Sequence, residues 1–280
     1  MKIHLYALCW NDADMLPFFF NHYDPLISKY FIFDDGSTDE SLKILQRHPK
    51  VEVQSFVRSD PDSFCLSERS ISDECWKRSR GHADWVLVID IDEHAFHPDL
   101  PALLRRYQAD GVSIVPALGY QMISEELPRS DARLYETCIQ GAPWELYSKL
   151  TFFDPASISE TNYEIGRHGA NPTGRVMAPA RDELLLLHYK FLGFERTHAR
   201  LQQRHSGLRS KDIKNRWGCW SEEELWHIWS ELAEKLIDIR TGAAITGYPG
   251  SRWWDPFRSP ATAAETANIP TGREGSVGEI

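Results

Sequence analysis

An apolar run that stops abruptly against acids sets the first constraint on this chain. Residues 85–89 (WVLVI) lead directly into Asp90, Asp92 and Glu93. Five consecutive apolar residues read as a buried strand, and three carboxylates at its exit call for a cation or a hydroxyl-rich ligand. In open α/β sheets, ligands bind outside the carboxyl ends of strands. A lone Asp-x-Asp is equally consistent with a solvated acidic turn, and a second strand with the same ending shifts that balance. Residues 30–33 (YFIF) run into Asp34, Asp35, Gly36, Ser37, Thr38 and Asp39. If both strands lie parallel in one sheet, both acidic groups project at the same edge. Concentrated negative charge needs neutralising, and a divalent cation carrying a nucleotide would do so.

The surrounding pattern alternates strand and helix. Residues 3–9 read as a first strand. Asn11 or Asp12 can cap a helix carrying Met15, Leu16, Phe18, Phe19 and Phe20, with Pro17 near its start. Gly36 permits a turn that residues with a Cβ resist. Ser37 and Glu40 have capping-box spacing for a helix reaching Arg47. Residues 51–56 alternate as a third strand, 66–80 have helical spacing with Gly81 at the stop, and a further helix follows Pro98 with Leu100, Leu103, Leu104 and Tyr107. Residues 112–116 are another strand. This succession predicts an α/β fold, a doubly wound and mostly parallel sheet flanked by helices.

Past Gly119 the rhythm breaks. Residues 149–153 and 183–189 look like strands separated by a loop-rich segment, the kind of irregular stretch that is usually functional or mobile. Two helices follow, over about 195–208 and 221–239. The second opens with Ser221 and Glu224 in capping-box spacing and stripes Leu225, Trp229, Leu232 and Leu236 on one face, a core-packing pattern. The tail from about Pro256, rich in Ala, Thr, Gly and Pro, is expected to be disordered.

Bulk properties narrow the function. The net charge of -10 argues against a nucleic-acid surface, which needs a basic footprint, and against tight binding to anionic membrane. The five scattered cysteines lack C-x-x-C spacing and read as reduced thiols. No apolar stretch has transmembrane length, and the apolar N-terminus is too short for a secretory signal. These features together give a cytoplasmic expectation.

Three motifs in order carry a family resemblance. They are Leu8-Cys9-Trp10-Asn11-Asp12 after the first strand, Asp34-Asp35-Gly36-Ser37-Thr38-Asp39, and Asp90-Ile91-Asp92-Glu93. Over about residues 3–116 the chain resembles bacterial glycosyltransferases of the family 2 type, whose nucleotide-binding fold is called GT-A; a weaker likeness continues through His188-Tyr189-Lys190. The resemblance implies that Leu8, Cys9, Trp10 and Asn11, with Asp34 or Asp35, hold the base and ribose of a nucleotide-diphosphate sugar, UDP favoured. Asp90 and Asp92 would bind Mn2+ or Mg2+ bridging the diphosphate, with His188 as a third ligand. Arg69 falls where many members have an arginine near the diphosphate, although its neighbours here differ. The implied organisation is a nucleotide-sugar half over 1–118, acceptor-side strands and loops of the same domain over 119–193, a helical region over 194–255, and the tail over 256–280.

The physical chemistry agrees. An acidic site accepts a diphosphate only when a metal inverts the local sign, and the metal then serves as Lewis acid for the departing group. His188 ends an apolar run, where an ordinary hydrogen-bonded histidine is about as expected. His168 lies in a loop that could close over a sugar, and Arg167, Arg175 and Lys190 are possible phosphate partners. An inverting transfer needs a carboxylate near the acceptor hydroxyl; Glu160 and Glu164 in SETNYEIG and Glu93 are the candidates, because the family's usual acidic pair is not evident. The expected activity is metal-dependent transfer of the sugar to a glycan or other small acceptor. The alternative is a glycosyltransferase-like module that binds nucleotide or glycan without turnover.

Overall fold

The computed structural model describes residues 1–129 and 132–259. The strands are β1 (Ile3–Cys9), β2 (Lys29–Asp34), β3 (Val51–Ser55), β4 (Trp85–Val88), β5 (Glu93–Phe96), β6 (Ile114–Pro116), β7 (Leu118–Ser124), β8 (Gln140–Pro143), β9 (Leu150–Phe153), β10 (Ile158–Glu160), β11 (Thr173–Gly174), β12 (Leu185–Leu192) and β13 (Ile237–Asp238). The helices are α1 (Leu16–Tyr23), α2 (Ser41–Arg47), α3 (Phe64–Glu74), α4 (Leu100–Ala109), α5 (Leu134–Thr137), α6 (Phe194–Gly207), α7 (Ser210–Lys214), α8 (Glu222–Ala233) and α9 (Ala243–Thr246).

The fold is α/β, as the alternation predicted. One sheet has the order β3-β2-β1-β4-β9-β6. Its β3-β2-β1-β4 portion is parallel, and β9 runs antiparallel between β4 and β6. Every residue of β4 is buried, as expected of a strand covered on both faces. A second sheet, β13-β8-β7-β12-β5, stands beside it. The chain passes from one sheet to the other between β4 and β5, so the turn carrying Asp90 and Asp92 sits at their junction.

Several elements depart from the sequence expectation. Ser37 caps no helix; its hydroxyl accepts from the Asn11 backbone N–H at 2.9 Å, and α2 begins only at Ser41. The loop uses Ser37 to tie the exits of β1 and β2 together. The helix expected over 66–80 is α3 followed by a 3-10 turn, Cys75–Ser79. Glu93, expected at a strand exit, instead opens the next strand, and its carboxylate accepts from Asp90 N–H at 3.1 Å. The segment past Gly119 holds β7 and β8, because residues 118–122 are all buried and pack as a two-faced strand. A Cβ on Gly119 would meet the Tyr147 carbonyl carbon at 2.3 Å, so glycine lets that backbone approach.

One large apolar cluster underlies both sheets, and a second gathers Ala142, Phe191, Leu201, Leu225 and Leu232. The α8 stripe is core: Leu225 and Leu232 are buried, and Trp229 stacks on Phe191 at 5.1 Å. Its capping box forms, with Glu224 accepting from Ser221 N–H and Ser221 from Glu224 N–H. The helix ends at Ala233, and β13 occupies what was expected to be its last turn. Residues 256–259 are ordered: Ala178 N–H donates to Phe257 O at 2.8 Å, and Arg258 pairs with Asp182 at 2.9 Å. Residues 260–280 of the expected disordered tail lie outside the described residues. All five cysteines are free thiols, and no described helix is long and apolar enough to cross a membrane.

Candidate functional site

A cavity of about 310 Å³ opens at the carboxyl ends of β1, β2 and β4. Leu8, Cys9, Trp10 and Asp12 enter it from the β1 exit, Asp35 from β2, and Asp90, Ile91 and Asp92 from β4. Phe64, Cys65 and Glu68 come from α3, Ile165 and Gly166 from the loop after β10, and Arg200, Arg204, Arg216 and Trp217 from α6 and beyond. The parallel register explains the convergence, since Cys9 pairs with Asp34 and Tyr6 with Val88. Strands in step deliver their exits to one edge.

Of the expected nucleotide residues, Leu8, Cys9, Trp10 and Asp35 line this cavity. Asn11 and Asp34 shape its rim from behind. Asn11 adopts the left-handed region at φ 55°, and its side-chain oxygen accepts from Thr38 N–H at 2.7 Å. Asp34 is buried and accepts from Gly36 and Ser37 N–H, each at 3.1 Å. Gly36, at φ 74°, makes the turn possible. Arg69 is exposed and does not line the cavity. Cys65 and Glu68, one helical turn apart, share the inward face instead.

The acids are neutralised by the protein's own cations. Asp35 pairs with Arg58 at 2.6 Å, and Asp12 with Arg200 at 2.5 Å. Burial raises the Asp12 carboxyl to about 6 against the pull of Arg200. Asp90 contacts Arg167 and lies 3.3 Å from Lys149. Burial works against its charge, but Arg167 and then Lys149 hold it down at about 2. Beneath it, fully buried Glu93 lies 2.6 Å from Lys149 and 3.8 Å from Arg167. Arg167, itself buried, sits at φ 57° immediately after Gly166 at φ 67°. A non-glycine residue in that region is strained, and such strain gathers at functional sites.

Asp92 faces a different partner. Its carboxylate lies 3.5 Å from His188 Nε2, and His188 overcomes burial to keep Asp92 well below the usual carboxylate range. The strand register sets this up, since β12 places His188 opposite Gln121 on one side and Glu93 on the other. The Gln121 amide donates to the carbonyls of His188 and Met122 at 2.8 and 3.0 Å. Its oxygen therefore accepts from His188 Nδ1 at 2.8 Å. With Nδ1 donating to Gln121, Nε2 is the nitrogen turned toward Asp92. A proton on Nε2 or a metal ion completes that contact.

That donor set fits a divalent metal through Asp92 and His188, an oxygen and an imidazole nitrogen with an ordered second shell. Asp90 is engaged by Arg167 and Lys149, and among the described residues no three His, Cys, Asp or Glu side chains gather as a metal cluster. The expected three-ligand set is thus not assembled: two of its members face each other, while the third is turned to cations.

The base candidates fall outside the cavity. Glu160 pairs with Lys77 at 2.6 Å, Glu164 is exposed, and Glu93 is sealed beneath the floor. His168 packs on Tyr147 with ring centroids 5.4 Å apart, and burial lowers it to about 3. Arg175 is mostly exposed and lies 3.8 Å from Asp154. Lys190 rests 3.9 Å from the centroid of Trp220, and burial with nearby Arg204 lowers it to about 7. Sequence reasoning missed Glu68, Arg200, Arg204 and Trp217. The spacing of Arg200 and Arg204, four apart on one helix face, was the available signal for two of them.

No family model matches the chain, and no curated protein does. Among solved structures, the crystal structure of S. aureus TarS aligns at TM-score 0.32 and 13% identity, over 56% of this chain and 29% of that one. The crystal structure of S. aureus TarS 1-349 aligns at TM-score 0.39 and 11% identity, over 87% and 73% respectively. A crystal structure of a mycobacterial protein aligns at 0.31 and 21%, over 43% and 41%. The chain therefore spans less than a third of the first of these, and likenesses this low carry nothing about function.

Proposed function

We propose that this chain is a glycosyltransferase of GT-A type that moves a sugar from a nucleotide-diphosphate sugar, UDP favoured, to a glycan or other small acceptor with inversion. The observation that carries this is the polarity of the cavity. Trp10 and Asp35 stand at its β1-β2 end, suited to a base and ribose hydroxyls. The Asp92–His188 pair and the Arg204 guanidinium stand at its β4 end, suited to a diphosphate. Arg204 is exposed into the cavity, and Asp92, Asp90 and Glu68 all act on it through space. A volume of about 310 Å³ falls at the lower end of the small-molecule pocket range of about 300–1,000 Å³.

In this reading Asp92 and His188 hold Mn2+ or Mg2+, which when bound supplies Lewis-acid stabilisation of the departing diphosphate. Trp10 and Asp35 orient the nucleotide, and Arg204 faces the phosphate charge. Residues 1–118 are the nucleotide-sugar half, 119–193 contribute the acceptor side, and 194–255 close the cavity. Free, mostly buried thiols suit the reducing cytoplasm.

Calorimetry with a nucleoside-diphosphate panel and manganese tests the reading. Manganese-dependent binding of UDP is expected, and Asp92→Asn should lose the manganese dependence and turnover while melting close to the parent. Absence of nucleotide binding with every member of the panel would overturn the proposal. Released nucleoside diphosphate distinguishes an enzyme from a binding module.

A further inference from the structure

Five carboxylates line the cavity: Asp12, Asp35, Glu68, Asp90 and Asp92. Four are committed, each with a cation or an imidazole within 3.5 Å. Glu68 is the exception. Among the described residues it accepts no hydrogen bond, and its nearest cation, Arg167 Nε, stands 4.0 Å away. Its side chain keeps 14% of its surface open, and α3 holds it on the inward face beside Cys65. A carboxylate held in an ion pair has its lone pairs occupied by the partner's protons, whereas a general base needs free lone pairs and reach to the acceptor.

We infer that Glu68 is the general base of the transfer, a role that rests on the glycosyltransferase reading above. The acceptor hydroxyl gives its proton to a Glu68 oxygen as the hydroxyl oxygen bonds to the anomeric carbon. The bond from that carbon to the diphosphate breaks, and its electron pair leaves with the nucleoside diphosphate. Glu68 then releases the proton to solvent. The charged groups facing it are Asp90 from the β4 exit, Arg167 from the loop after β10, Lys149 just before β9 and Arg204 from α6. Burial and then Asp90 raise its proton affinity, the direction a base near neutral pH requires.

The test uses the full chain with manganese, reading UDP binding by calorimetry and UDP release from a panel of UDP-sugars with water as acceptor. Glu68→Gln and Glu68→Ala should bind UDP within about threefold of the parent, yet release it at least about 100-fold more slowly, the usual contribution of a general base. Sodium formate should restore release in Glu68→Ala, where it finds space, and leave Glu68→Gln slow. Glu68→Gln, nearly isosteric, guards against a folding defect. Release unchanged in either variant, binding lost together with release, or no rescue by formate overturns the assignment. A parent chain that binds UDP but releases none also overturns it and leaves the nucleotide site standing. A parent that binds no nucleotide overturns the functional reading itself.

Discussion

Arg167 concentrates more of the site's electrostatics than any other single side chain described. It is buried, takes a left-handed backbone conformation, and reaches Asp90 and Glu93 together, with Glu68 standing 4.0 Å from its Nε. Removing one partner of a buried ion pair typically costs about 3–5 kcal/mol, because the remaining charge is stranded. Arg167→Met should therefore destabilise the chain by an amount of that order in urea unfolding, with the loss smaller if water reaches Asp90 from the cavity. His22 offers a second test, of pH dependence. Its Nε2 lies 2.9 Å from the Ala95 carbonyl oxygen, Nδ1 is buried without a partner, and burial lowers the imidazole to about 4. The folded state thus refuses a proton that the unfolded chain accepts below its ordinary value near 6.5. Stability from this residue is present above that value and is lost as pH falls toward the folded one. Between pH 6.5 and 5.5 the parent should lose roughly 1 kcal/mol more than His22→Phe. Equal slopes in chemical unfolding would remove His22 as an acid sensor.

At the scale of elements, Asp212 joins two helices with one carboxylate. It is fully buried and accepts from Ser63 Oγ at 2.5 Å, Phe64 N–H at 2.8 Å and Arg209 N–H at 3.0 Å. It thereby satisfies donors at the N-termini of both α3 and α7, where helices leave N–H groups without partners. Its affinity for a proton is lowered, burial opposing and the Ser63 hydrogen bond leading the shift. Asp212→Ala should cost about 1–3 kcal/mol and, under the proposed function, weaken UDP binding, because α3 and the 208–218 wall both lose their anchor. Unchanged UDP affinity in a destabilised variant would separate stability from the site. Elements built from local pattern were legible in the sequence: β1 to β4, α4 and the α8 stripe all follow from apolar spacing. What escaped were elements held by distant partners. β7 hides because Gly119 and the buried Gln121 interrupt its apolar run. β5 hides because its Glu93 is charged yet sealed against Lys149. The same blindness governs the site. Asp35, Asp90 and Asp92 were visible at strand exits, whereas the cations that neutralise them arrive from loops and helices far along the chain.

For the whole molecule, the cavity is a joint between the two ends of the described chain. Arg200 reaches back 188 positions to Asp12, and Ser63 meets Asp212 across 149. Lys149 and Arg167 follow Asp90 by 59 and 77 positions. That ordering bears on synthesis. While the chain is emerging from the ribosome, β1 to β4 can pair early through contacts close in sequence, but Asp90 and Glu93 then have no cation beside them. Charge balance arrives with residues 149–167, and the wall that closes the pocket arrives only after residue 200. A nascent chain carrying every acidic motif of the first half would thus hold an open, unbalanced edge, and the enclosed cavity becomes a property of residues 8 to 218 taken together.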